Sequence, residues 1–284
     1  MFSVRTAYHS TCTLLCLSIA MPALAQQSSE PAPDLSGDSV TVGAGLAIVP
    51  SYDGSDQSVV TVAPAARGTI SGINFSVLGG RAWADLIADG AGPGWDFQAG
   101  PVVNLNLNRT ARIQDRQVRQ LGKIDPAIEA GGFIGIGKQG LITSDYDKLS
   151  VGVSYTNDVG TVHKSYLVSP SVTYSTPLSR KAFVALNLSA NYMGDGYART
   201  YFGVTPAGSA ASGLPAFTAR KGWKDWTLGA LGNVSLTGDL LHGLSMVGGV
   251  GYRRMLDDAA DSPVVRIAGS RNQWYGALGL AYTF

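Results

Sequence analysis

From residue 40 onward, apolar and polar residues alternate with a period of two. Residues 94–107 show it best. Trp95, Phe97, Ala99, Pro101, Val103, Leu105 and Leu107 share one parity. Asp96, Gln98, Gly100, Asn104 and Asn106 share the other, with Val102 the exception. Successive residues of a strand face opposite sides, so this segment reads as a strand with one apolar and one polar face. The same pattern recurs at 149–156, 165–174, 184–192, 225–236 and 244–253. In the last segment Trp274, Gly276, Leu278, Leu280, Tyr282 and Phe284 share a parity.

Eleven strand segments are clear: 40–48, 58–68, 72–80, 94–107, 126–138, 148–157, 163–175, 181–193, 223–237, 242–255 and 272–284. The apolar face could meet a second sheet, as in a soluble sandwich, or lipid, as in a transmembrane barrel. Many segments reach about 10 residues, enough to cross a bilayer when tilted, whereas sandwich strands average about 5–6. The polar parity is rich in Gly, Ser, Thr and Asn, as a crowded or hydrated lumen requires. Trp83, Trp95, Trp223, Trp226 and Trp274 fall near segment ends and are expected to form an interfacial girdle. Short connections (176–181, 237–243) alternate with long ones (109–125, 194–222, 256–271), and 200–219, uncharged and rich in Gly and Pro, reads as loop rather than helix. The expected fold is all-β, an antiparallel transmembrane β-barrel. A single-chain bacterial barrel needs an even number of strands. Counting inward from both ends leaves one strand missing before residue 94, and 81–88 (RAWADLIA) supplies it. Twelve strands result, with ten as the fallback. Phe284, Tyr282 and Leu280 look like the terminal-strand signal read by the outer-membrane assembly machinery.

Composition agrees. Only 14% of the 284 residues are charged, against roughly 25% for an ordinary soluble domain, and there are 36 glycines. Arg5 and His9, the apolar run 11–20 and Ala23-Leu24-Ala25 read as a secretory signal peptide (1–25) cleaved after Ala25. Residues 26–39, rich in Ser and Pro, read as a disordered periplasmic leader, and 40–284 as the barrel. Of 21 basic residues one, Arg5, would leave with the signal, matching 20 acidic residues. A neutral chain offers no electrostatic hold on nucleic acid. The expected location is the outer membrane, with its lipid as first partner.

Cys12 and Cys16 both fall in the signal segment, so no thiol chemistry is expected. His163 follows Asp158 and precedes Ser165, which would suit a base-activated serine, but Ser is common on this parity everywhere and a catalytic role is not assigned. His242 reads as a surface turn residue. Asp257, Asp258 and Asp261 read as a solvated acidic loop. With two distant histidines and no cysteine, neither metal nor cofactor is expected. Arg67, Glu129 and Arg253 lie on the polar parity and are expected as lumen charges, more as a structural network than as an ion filter.

Several motifs together resemble the MltA-interacting protein family (MipA/OmpV) of outer-membrane proteins. They are Pro50-Ser51-Tyr52-Asp53-Gly54-Ser55, Glu129-Ala130-Gly131-Gly132-Phe133, Ala190-Asn191-Tyr192-Met193 with Tyr201-Phe202-Gly203-Val204, Lys224-Asp225, Tyr252 to Leu256 with Asp258 to Pro263, and Ala281-Tyr282-Thr283-Phe284. The resemblance spans nearly the whole mature chain. It implies a non-enzymatic barrel, similar to a scaffold that brings a lytic transglycosylase together with a peptidoglycan synthase. Other members are similar to adhesins or porins, so a narrow channel or an adhesin is the alternative, and an outer-membrane hydrolase a weaker one. The resemblance brings no catalytic residues.

Overall fold

The computed structural model describes residues 38–88 and 94–284; the expected signal peptide and nearly all of the expected leader lie outside them. Twelve strands are present: β1 (Ser39–Pro50), β2 (Ser58–Ile70), β3 (Ile73–Leu78), β4 (Arg81–Asp85), β5 (Trp95–Asn106), β6 (Ala127–Gln139), β7 (Lys148–Asp158), β8 (Tyr166–Ser179), β9 (Ala182–Met193), β10 (Gly222–Ser235), β11 (Gly243–Met255) and β12 (Asn272–Thr283). Each pairs antiparallel with its sequence neighbours, and β1 closes on β12 from Thr41↔Thr283 to Ile48↔Gly276. The twelve-strand barrel is therefore the fold. No helix among the described residues is long and apolar enough to cross a membrane; the wall is entirely strand.

The period-two pattern sets the wall's two faces. Val62, Trp274 and Leu278 expose 67%, 66% and 61% of their surface on the outside. That is costly in water and favourable in lipid. The inward parity is small along the closing seam, where Gly45 of β1 faces Gly279 of β12. A Cβ on Gly45 would lie 2.7 Å from the Gly279 Cα, so the close approach requires glycine there.

Trp83 corrects the expected girdle. It pairs with the buried Val102 and packs edge-on against Phe133, ring centres 5.6 Å apart, inside the barrel. In β4 its neighbours Ala82 and Ala84 are equally apolar, so the pattern there does not distinguish the faces. The other four tryptophans face outward. Trp223, Trp226 and Trp274 form a belt with Tyr192 and Tyr252 at one end of the wall. Trp95 lies at the opposite end beneath Lys138.

The long connections all emerge at the end that carries this belt, called here the loop end; β1 begins and β12 finishes at the other, the terminal end. The loops carry five short helices: α1 (Arg116–Gln120), α2 (Asp195–Phe202), α3 (Pro206–Ser212), α4 (Asp257–Asp261) and α5 (Pro263–Arg266). Residues 200–219 are thus partly helical, against expectation. Thr205 caps α3 by accepting from Gly208 N, Pro206 starts it, and Gly213 ends it at φ 74°. These cues sit among small residues with no apolar period to reveal the helix. The helices bury two clusters, one around Met193, Tyr197, Phe202 and Met255, the other around Tyr52, Val118, Leu214 and Val264. Tyr52 also donates its hydroxyl hydrogen to the Ala268 carbonyl. The loops are therefore a packed cap, not a solvated fringe.

Candidate functional site

The polar interior beneath the cap starts from an irregularity in β10. Trp223 pairs with Tyr192 but Asp225 pairs with Asn191, so Lys224 is an extra residue. Such a bulge re-aims side chains. Trp223 and Trp226, of opposite parity in sequence, both stay in the outer belt, while Lys224 and Asp225 are both buried, at 5% and 0% exposure.

Four charges meet there. Lys224 Nζ lies 3.0 Å from Asp53 Oδ2 and 3.3 Å from Asp225 Oδ2. Arg253 Nη1 lies 3.0 Å from Asp53 Oδ1, and its Nε donates to Thr227 Oγ1 at 3.2 Å. Asn191 Nδ2 donates to the free side of Asp225 at 2.8 Å. Two cations thus balance two carboxylates, the condition under which buried charge is tolerated. Asp53 comes from the β1–β2 loop. Burial opposes its ionisation, but Lys224 and Arg253 outweigh that and hold it below the ordinary aspartate value.

A second group adjoins. Glu129 at the start of β6 accepts from Asn106 Nδ2 at 2.8 Å and faces His163 Nε2 at 3.3 Å. Tyr197 of α2 links the two: Asn106 Nδ2 donates to its hydroxyl at 3.3 Å, Lys224 Nζ lies 3.5 Å away, and its ring packs edge-on to His163. Burial raises the Tyr197 hydroxyl far above its ordinary pKa, so it stays protonated.

The serine-hydrolase arrangement weighed for His163 is not assembled. The Asp158 carboxylate accepts the backbone N–H groups of Gly160, His163 and Lys164 at 2.9, 2.6 and 2.9 Å, folding the β7–β8 loop rather than orienting the imidazole. Asp257 and Asp261 of α4 are exposed, as a solvated loop requires, and the aspartates also clamp neighbouring segments. Asp257 accepts from Trp223 N, Asp258 from Arg220 N, and Asp261 pairs with Arg271. Among the described residues no group of three His, Cys, Asp or Glu could hold a metal ion.

The motif residues singled out from the sequence converge on this network. Asp53, Glu129, Asn191, the adjacent pair Lys224 and Asp225, and Arg253 come from five separate stretches of chain and lie under one cap. Residues 42–284 match the protein family described as MltA-interacting protein MipA. The chain belongs to the MipA family.

No curated protein matches the sequence. Solved structures similar to this MipA-family barrel include an outer-membrane channel from Pseudomonas putida F1 (10% identity, 87% of this chain and 96% of that one, TM-score 0.45). Others are the anion-selective porin from Comamonas acidovorans (11%, 87% and 99%, 0.34) and the Pseudomonas putida toluene transporter TodX (8%, 89% and 89%, 0.36). These overlaps are too loose to carry an activity across. The chain is an outer-membrane β-barrel protein.

Elsewhere in the MipA-family barrel, Arg67 lies inside near the terminal end, its guanidinium 5.6 Å from the Phe183 ring centre. Arg67, Glu129 and Arg253 therefore all point into the lumen, but only the last two join the network. Sequence reasoning did not bring Lys224, Asp225 and Asp53 into that set: Lys224 enters only through the bulge, and Asp53 only through the folding of its loop. Toward the middle of the barrel a cavity of about 390 Å³ is lined by hydroxyls and amides, Ser154, Ser171, Thr173 and Asn187 among them, beside Trp83 and Phe133.

Proposed function

We propose that the protein is an outer-membrane anchor that holds a lytic transglycosylase at its periplasmic face, and through it a peptidoglycan synthase, and that it is neither an enzyme nor an open diffusion pore. The observation that carries this reading is the sealed loop end. Tyr197, Tyr201, Phe202, Met193 and Met255 are essentially without exposure there, over a charge-balanced network in which each carboxylate is held by a cation, an imidazole or an amide. A wide aqueous channel needs a lumen open at both ends; this interior is used to lock the cap. The description of the MipA family as MltA-interacting supports the choice of partner. In this reading the terminal end faces the periplasm and offers the short turns as the docking rim. Phe284, Tyr282 and Leu280 serve the assembly machinery, and outer-membrane lipid covers the apolar face.

The test is retention of a purified lytic transglycosylase on the immobilised, refolded barrel, run beside planar-bilayer recording. Retention without conductance steps is expected. Steady conductance steps with no retention would replace the anchor reading with a channel.

A further inference from the structure

The wall is not continuous. β3 and β4 are only 6 and 5 residues long, and their hairpin stops part-way up. Its tip is stitched to both neighbours, Gly79 N to Pro64 O at 3.0 Å and Leu105 N to Gly80 O at 2.7 Å. Above that tip β2 continues over residues 58–64 with β1 on one side and no strand on the other, since its pairing with β3 begins at Ala65. The only bridge across, among the described residues, is Arg112, whose Nη1 donates to Val60 O at 2.7 Å. The four-residue step from Val60 to Pro64 leaves an opening about 13 Å tall.

This window opens at membrane level. Val60 pairs with Ile48, and Ile48 with Gly276, two residues inside Trp274 of the aromatic belt. Val62, Leu105 and Leu107 on the rim point outward and are exposed. An open strand edge in hydrocarbon leaves backbone groups with no water to bond to, which is strongly unfavourable. The chain reduces that cost at two points: Pro64 has no N–H to strand there, and Arg112 covers the Val60 carbonyl. Val62, between them on the same edge, turns its N–H and C=O to the window.

Behind the window lies a cavity of about 610 Å³. Its lining runs from Thr61, Leu78 and Arg112 at the rim to Arg81, Glu129 and Lys224 inside. Among the described residues, two of its cations lack an ion-pair partner. Arg81 donates to Ser154 Oγ at 3.1 Å and lies 3.5 Å from Asn104 Oδ1, and Arg112 donates to a carbonyl. Among the described residues neither guanidinium has a carboxylate within salt-bridge distance.

We propose that this window is a lateral binding site for a single-chain amphiphile with a carboxylate head. The head reaches the Arg81 and Arg112 guanidiniums, and the alkyl chain stays in the bilayer against Val62, Leu105 and Leu107. Guanidinium forks match carboxylates in two-point geometry, and an exposed apolar rim at bilayer depth matches a hydrocarbon tail. A short polar solute would satisfy only the first of these features.

Refolded full-length protein in neutral phosphatidylcholine nanodiscs, titrated with spin-labelled stearate, tests this. A saturable immobilised spectral component is expected. Arg81→Ala and Arg112→Ala should each weaken it about tenfold, the scale of one charge-assisted hydrogen bond. Arg180→Ala, in the β8–β9 turn at the terminal end, should leave it unchanged. The spin-labelled methyl ester, which lacks the charge, should show no saturable component. Heat-modifiable gel mobility confirms that each variant is folded. Absence of a saturable component, equal binding of the methyl ester, or unchanged binding in the Arg81→Ala/Arg112→Ala double variant would each overturn the proposal. Enzyme retention and bilayer conductance are read separately, so the anchor reading can fail or stand independently.

Discussion

The Lys224 ammonium lies 3.0 Å from the Asp53 carboxylate, although 171 positions of chain separate them. That contact pins the first loop over the mouth of the barrel and is buried on the lysine side. Lys224→Met removes one cation from two carboxylates. Breaking a buried pair by deleting one partner costs about 3–5 kcal/mol. The expected outcome is a lower urea midpoint for refolded barrel, with partial recovery in Lys224→Met/Asp53→Asn. An unchanged midpoint in the single variant would show that the network does not stabilise the cap.

Asp53 also sets a pH dependence. Its carboxyl titrates lower in the folded protein than the value of about 3.9 in an unfolded chain. Its stabilising contribution is therefore complete above the unfolded value and is lost as pH falls through the folded one. Unfolding midpoints should fall below about pH 4, and Asp53→Asn should flatten that acid limb while lowering stability at neutral pH. Denaturant titrations between pH 7 and pH 3 check both.

The tryptophans divide by face. Brominated lipid quenches indoles that touch acyl chains. Variants retaining only Trp274 or only Trp95 should be strongly quenched, and one retaining only Trp83 should be largely protected. Equal quenching of all three would contradict the inward placement of Trp83 against Phe133.

Phe284 tests the assembly role. Its N–H donates to Val40 O at 2.9 Å and its ring packs edge-on to Tyr282. Phe284→Ser should lower the amount of barrel in the outer membrane several-fold while leaving refolding in detergent nearly unchanged. Equal loss in both assays would make Phe284 a stability residue rather than a recognition signal.

The strands were legible because lipid on one side and a polar lumen on the other impose a strict period of two. Even β4 was found without any pattern of its own, from the direction its neighbours must run. What stayed hidden depends on three dimensions. Residues 82–84 read Ala-Trp-Ala and carry no facial information. The bulge at Lys224 leaves no mark in composition, yet it decides which charges enter the interior. Glu129 and Arg253 were recognisable on the polar parity. Their partners Asp53 and His163 sit in loops, whose paths follow from cap packing around Tyr197 rather than from local pattern.

The short β3–β4 hairpin means that this molecule has no single strand number. A ring cut near the terminal end crosses twelve strands; one cut above Gly79 and Gly80 crosses ten. Barrel diameter follows strand number only where the ring of strands is closed, so above the hairpin the two missing strands leave a gap in the wall. The five short helices close the mouth from above, and the notch beside β2 leaves that seal open on its flank.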